Sequence, residues 1–467
     1  MGYHDIAQYG AVGDGSTVNT QAIQQAIDAA VGEGGGVVLV PPGKWVSGTI
    51  RLKDNVTLNV QPGATLLGSG DINDYPAVQD SRRGDRHVHH FIVAEDASNV
   101  TLTGGGTIDG NGPAFWKPQR APRAWIGAKS PRISPMLDFV KCTDLRIENV
   151  TIANSPGWTL HPHMCERVWI RGIKLLNPLF GPNTDGIDVN GCRDVMISDS
   201  YIECGDDAIV LKTTHDSQTL ERVTVTNCII RTNCVGLKLG ANESVHDMRQ
   251  ITFSNCVVYA STRAIGLYNW RGCTEEDILI SNVVCDTDSG FILNRPIHID
   301  ARCEEFGPGV IRNVQISNFV ARTDGRILMT AADGYRVENV LLRDVRLSYP
   351  VIDDPAPTAP GAGSHQFSVH SPEARAARAA VVADGITDLV IDGLQIDWPE
   401  GEPPASWSGL KNENGSDRMY ERSEGEPVFA AVWGRRLKGG LIDCPLVRSG
   451  SGGGEPFDLE DCDIEVR

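Results

Sequence analysis

The sequence has no run of about 18 apolar residues, so no segment is predicted to cross a membrane as a helix. Nor does it carry surplus basic charge: 60 acidic residues against 42 Lys and Arg leave −18, which excludes a broad basic surface for phosphate backbones or anionic lipids. Neither nucleic acid nor membrane is therefore expected as a partner. The start, MGYHDIAQYGAVGDG, lacks a basic stretch and an apolar h-region, which gives the expectation of a cytoplasmic protein, the alternative being a secreted one whose signal has been removed. The twelve cysteines include no paired C-x-x-C sites, and several fall in a repeat register. They are expected to be buried free thiols rather than disulfides or metal ligands. The glycine-rich GEGGGV near residue 34 lacks the Lys-Ser/Thr ending of a phosphate loop, which argues against nucleotide binding.

Helical periodicity is also scarce, and short strand signals recur in its place. Apolar triplets followed by a small polar residue begin at Leu145, Val168, Val195, Val223, Ile251, Ile278, Val314, Val340 and Leu389. From Val168 to Ile278 the successive starts differ by 27, 28, 28 and 27 residues, a fixed period that signals a solenoid. Four residues after each start stands Asn149, Gly172, Asp199, Asn227, Asn255, Asn282, Asn318, Asp344 or Gly393, residue types suited to left-handed turns. Stacked coils would gather them into one column, and Cys142, Cys165 and Cys192 into another.

About three short strands per repeat predict an all-β fold, a right-handed parallel β-helix. NTQAIQQAIDAAV predicts a capping helix with Asn19 as N-cap and Ile23, Ile27 and Ala30 on the buried face. One domain is expected over residues 1–467, with long loops at 350–378 and 412–427 and irregular coils over 380–467. Such a chain needs no partner to bury its core, and its oligomeric state is left open.

Four segments align as strands ahead of the triplets: Gly186–Val189, Ala208–Lys212, Gly236–Leu239 and Ala264–Tyr268. Alternation turns Ile187, Val189, Ile209, Leu211, Leu237, Leu239, Ile265 and Leu267 inward, and Asp188, Lys212, Lys238 and Tyr268 outward. Asp185 and Asp207 each precede such a strand, so stacking crowds Asp185, Asp188, Asp206 and Asp207 into one patch. Carboxylates about 4.8 Å apart cannot all ionise freely, and at least one should hold its proton above the usual range. A retained proton beside ionised carboxylates is the equipment of glycoside hydrolysis. An isolated Asp in a solenoid turn is more often structural; two clusters in stacked register favour chemistry. His161 and His163 are placed outward on the preceding strand, and Tyr268, Trp270, Trp116 and Trp158 are candidates for stacking on sugar faces.

The sequence resembles glycoside hydrolase family 28, the polygalacturonase family. The resemblance rests on NTDGID with GDD following so that Asp206 lies 21 residues after Asp185, on YGAVGDG, GGGVVLVPPGKW and GGGTIDGNG, and on NSPGWTLHP, and it runs over residues 3–345. It implies a right-handed parallel β-helix and hydrolysis with inversion, with Asp206 as general acid and Asp185 and Asp207 holding and activating the water. No metal and no cofactor are implied. The family's Gly-His-Gly reads Cys234-Val235-Gly236 here, and its Arg-Ile-Lys aligns with Gly266-Leu267-Tyr268. A site without that cationic fork loses its preference for a uronate carboxylate. The expected substrate is thus an oligosaccharide or glycoside of plant or pectic type with a neutral or deoxy sugar, bound by Asp188, His161, Lys212, Lys238, Tyr268, Trp270 and Arg263. Lys238 either supplies a cation to the sugar, with Arg263 nearby, or pairs with Asp188. Two other functions fit the pattern. One is a polysaccharide lyase using calcium on the acidic cluster and Lys238 or Lys212 as base; the other is a non-catalytic carbohydrate-binding solenoid. The segment PAFWKPQRAPRAWIGAKSPR is expected to close one end of a cleft.

Overall fold

The computed structural model describes residues 2–78, 88–122, 124–241, 244–287, 294–302, 307–323, 325–349, 371, 373–374, 377, 379–398, 430–448 and 456–467. The chain divides into two compact units, Met1–Ile229 and Ile230–Arg467, where the repeat pattern alone predicts one domain. Repeats of a stack touch only near neighbours, so compactness is a local property.

In the first unit the strands form three parallel stacks. One runs Ile50–Arg51, Ile92–Glu95, Leu137–Val140, Leu160–His163, Ile187–Asn190 and Ile209–Lys212. Another contains Thr143–Glu148, Glu166–Arg171, Arg193–Ser198 and Leu220–Thr226, and the third Thr151–Ala153, Lys174–Leu176 and Tyr201–Cys204. The triplets supply the middle of the second stack, with Val168, Val195 and Val223 in one row. Corners between strands need a left-handed residue, and all nine residues of the predicted turn column have positive φ, from 52° at Asn149 to 70° at Gly393. A second such column, missed in the sequence, contains Asp144, Arg167, Asp194 and Arg222, where arginine and aspartate alternate and pair: Arg167 Nε donates to Asp144 Oδ1 (2.8 Å) and Arg222 Nε to Asp194 Oδ1 (2.6 Å).

The helix Thr20–Gly32 forms as expected and buries Ile23, Ala26, Ile27 and Ala30. Asn19 does not cap it through its side chain; it accepts from Val12 N (2.7 Å) and donates to Thr17 O (2.7 Å), tying down the entering loop instead. The eleven described cysteines are free thiols, eight of them buried. Cys142, Cys165 and Cys192 stack as predicted, the N–H of Cys142 reaching Cys165 Sγ and that of Cys165 reaching Cys192 Sγ, each at 3.3 Å.

In the second unit, pairs of strands fuse into single long ones, Met248–Tyr259, Thr274–Thr287, Val310–Thr323 and Arg336–Ser348. The expected irregular coils beyond residue 380 are corrected: Ala379–Asp384, Ala430–Arg435 and Phe457–Glu460 continue the ladder in register, Val381 pairing with Ile327 and Val432, and Val432 with Phe457. Of the loop predicted at 350–378, only residues 371, 373, 374 and 377 are described, with Ala374 and Ala377 buried against Leu328 and Trp433. The loop predicted at 412–427 lies outside the described residues.

One core position carries an acid. Glu275 points inward, in register with Met248 and Ile311, and its Oε2 has no hydrogen-bond partner among the described residues. Burial pushes its carboxyl up to about 8. The folded chain therefore holds this proton more tightly than the unfolded one, so stability falls as pH rises from the ordinary glutamate range through about 8. Glu275→Gln should melt higher than the wild type at pH 9 and close to it at pH 4.5, a comparison made by calorimetry across that range.

Candidate active site

Asp185 and Asp207 take equivalent places on successive coils. Ile187 pairs with Ile209, Gly186 N donates to Asp207 O (2.9 Å) and Ile187 N to Ala208 O (2.9 Å). The coils meet this closely because residue 186 is glycine: a Cβ there would strike the Ala208 carbonyl. Gly205 likewise leaves room for Thr184 Oγ1, which accepts from Gly205 N (3.1 Å) and joins the NTD turn to the GDD turn.

Asp185 and Asp207 are buried and Asp206 is half-buried. Asp206 is thus the carboxylate of this trio most open to a glycosidic oxygen. Its Oδ1 accepts from Asp207 N (3.1 Å) and its Oδ2 from Asn183 Nδ2 (3.3 Å). The predicted rise falls on Asp185: burial is the largest cause, followed by the charges of Asp206 and Asp188, with Asp207 adding and Lys212 opposing. Asp185 Oδ1 has no hydrogen-bond partner among the described residues, which leaves the ionised form poorly supported.

Asp188 and Lys212 lie on the row opposite the core residues, yet both are buried. They pair at 2.8 Å, and Lys212 Nζ also sits 3.8 Å from the ring centre of Trp158. Lys212 lies on the strand in register with that of Asp188. His161 is buried beside it, held by Asp138 Oδ1 at 2.9 Å, with Asn190 Nδ2 3.4 Å from its other nitrogen. Asp138, Asn190 and Arg132 were not singled out in the sequence. Register is the signal that could have found Asp138 and Asn190, since Asp138 pairs with His161 and Asn190 with Lys212.

Lys238, Arg263, Tyr268 and Trp270 belong to the second unit. Leu237 pairs with Ile265 and Leu239 with Leu267, as the alignment expects. Lys238 is in register with Gly266 and then His298, and it is buried. Arg263 is in register with Arg295; both are buried. Tyr268 and Trp270 do not offer ring faces to a sugar: each is buried, and this expectation is corrected. Tyr268 packs with Val235, Ala241 and Trp270 and bonds His298 Nδ1 through its hydroxyl (3.1 Å), while Trp270 Nε1 donates to Asp300 Oδ2 (2.9 Å) under the Arg302 guanidinium. His298, Arg295 and Asp300 escaped sequence analysis, although Ile297 and Ile299 alternate with the last two polar positions in a strand pattern. Burial, and then Arg295, Arg263 and Arg302, hold His298 well below the usual histidine range. Trp116 is a packing residue, buried with its Nε1 directed to Pro156 O (3.3 Å), whereas Trp158 remains partly exposed.

Comparison with known proteins places this geometry in context. The family model described as glycosyl hydrolases family 28 matches residues 38–354. The chain is similar to a probable polygalacturonase of Vitis vinifera, 34% identical over 223 residues covering 45% of this chain and 44% of that protein. The chain thus spans less than half the length of this relative. Among solved structures it is similar to an exopolygalacturonase of Thermotoga maritima, with TM-score 0.63 and 24% identity over 74% of this chain and 87% of that one. A family 28 exopolygalacturonase of Yersinia enterocolitica gives TM-score 0.59 and 16% identity over 100% and 78%. At these identities the structural likeness concerns the fold.

Proposed function

This chain belongs to glycosyl hydrolases family 28, and from that premise we propose that it hydrolyses a plant-type or pectin-derived glycoside other than plain polygalacturonate, with inversion. In this reading Asp206 protonates the leaving oxygen, while Asp185 and Asp207 hold and activate the attacking water. An inverting site needs carboxylates roughly 6.5–9.5 Å apart to admit that water. A base held above the usual carboxylate range suits the task, because its proton affinity lies nearer to that of the species it must deprotonate.

The observation that carries the choice of sugar is the buried Asp188–Lys212 pair of the first unit, while Val235 and Tyr268, which stand where the family motifs supply His and Lys, pack with Ala241 and Trp270 within the second unit. In the first unit, Lys212 is engaged by Asp188 and Trp158, and the surrounding acids Asp138, Asp185, Asp188 and Asp216 disfavour a second anion. Hydroxyl-bearing neutral or deoxy sugars meet no such charge. One observation favours a second reading, an acidic sugar held by a different set of cations: Arg263, Arg295 and Arg302 lie on adjacent strands and their immediate flank.

The wild type and Asp206→Asn are to be compared on aryl glycosides and pectic oligosaccharides, polygalacturonate included, by reducing ends and by absorbance of unsaturated product. Release of a neutral sugar by the wild type, with a loss of about 10²–10⁴-fold in the variant, is the expected outcome. Cleavage of polygalacturonate would move the proposal to the second reading. Unsaturated product would indicate a lyase, and silence from both proteins a binding solenoid.

A further inference from the structure

The long segment after Phe115 was expected to close a cleft, and its course puts an arginine at the acidic cluster. Trp116 bridges to Ala128, Ile126 N donates to Phe180 O (2.9 Å), and Trp125 meets the edge of Phe180 with ring centres 6.4 Å apart. The segment is thereby fastened to the turn that leads into Asp185. Arg132 follows and makes a three-part attachment. Its Nη1 donates to Pro182 O (2.7 Å) and Pro156 O (3.2 Å), and its Nη2 donates to Asn183 Oδ1 (3.0 Å). The other end of the same amide, Asn183 Nδ2, donates to Asp206 Oδ2.

We infer that Arg132 is a positioning residue for the reaction: by holding Asn183 Oδ1 it turns the Asn183 amide nitrogen onto Asp206 and fixes the orientation of that carboxyl group. The inference rests on the role of Asp206 proposed above. A flipped amide would set its oxygen against the carboxylate and its nitrogen against the guanidinium, two unfavourable contacts in place of two favourable ones. The planar fork of arginine is what allows two carbonyls and an amide oxygen to be held together, and lysine has no such fork. Donors to both oxygens of Asp206, from Asn183 and from Asp207 N, support the carboxylate left after its proton has been transferred. The Arg132 charge also acts on Asp185 and Asp206: burial lowers its own proton affinity, and those two acids oppose the change.

The test follows the aspartate carboxyl groups by ¹³C NMR in wild type, R132M, R132K and N183G, with Asp206 assigned from D206N. Glycine suits position 183, whose φ is +50°. The Asp206 titration midpoint should rise in R132M, R132K and N183G, and kcat on a glycoside cleaved by the wild type should fall about tenfold with little change in KM. N183G carries the test should R132M fail to fold. An unchanged Asp206 midpoint in R132M and N183G overturns the inference. So does an R132K midpoint equal to the wild type beside a shifted R132M, since charge alone would then suffice. Because the titration needs no substrate, an active D206N would refute the role of Asp206 in hydrolysis without deciding whether Arg132 orients it.

Discussion

Asp185→Asn should lose nearly all hydrolysis while melting at a higher temperature than the wild type at pH 7. The two effects have one cause. Asp185 is buried, among Asp206, Asp188 and Asp207, with Lys212 as the opposing charge, and its carboxyl is held well above the ordinary range. The folded state consequently binds this proton more tightly than the unfolded state. The sign follows: the group is neutral in both states at low pH, and stability falls as pH rises from the unfolded aspartate range through the raised folded value. Asparagine has the same shape and cannot ionise, so it removes that pH-dependent loss. Calorimetry from pH 4 to pH 8 should show the melting temperatures of variant and wild type diverging as pH increases. In the mechanism proposed above, activity moves the other way, by about 10²–10⁴-fold, because an amide cannot accept the proton of water. A variant that melted lower than the wild type at every pH would contradict the assignment of the raised proton affinity to Asp185.

Lys212→Met should destabilise the fold by about 3–5 kcal/mol, since it leaves the Asp188 carboxylate buried without its lysine. Side-chain exposure is 3% for Lys212 and 0% for Asp188, so water cannot take the ammonium's place. The double variant D188N/K212M should recover most of this loss, because it removes both charges together; denaturant titration of the three proteins measures the cycle. The single variant has a second effect. Lys212 favours the ionised form of Asp185, so its loss raises the Asp185 proton affinity further. The acid limb of the pH profile of kcat/KM should then move to higher pH. An acid limb that stayed in place would separate Lys212 from the carboxylates proposed as catalytic and restrict it to structure.

The described architecture was largely legible in the sequence because it is written in local patterns. Triplets starting at Val195, Val223 and Ile278 mark strands by alternation, and Asn, Asp or Gly four residues later marks the corner, since few other residues accept a left-handed turn without strain. The coils beyond residue 380 were misjudged where their strand signals are interrupted by long insertions. In the site, the stacking of Asp185 over Asp207 was equally legible, as was the burial of thiols at Cys142, Cys165 and Cys192.

What the sequence determined by itself is thus the parallel β-solenoid, its turn columns and inward rows, the place of the acidic cluster and the family motifs. Only the tertiary structure decided which carboxyl has its proton affinity raised, that Lys212 meets Asp188, that Tyr268 and Trp270 are packing residues, and that Arg132 reaches Asn183. Strand alternation and turn chemistry act between residues close in the chain. Proton affinity, ion pairing and exposure depend on burial and on charges brought within a few ångströms from positions such as Arg132 and Asn183, 51 residues apart.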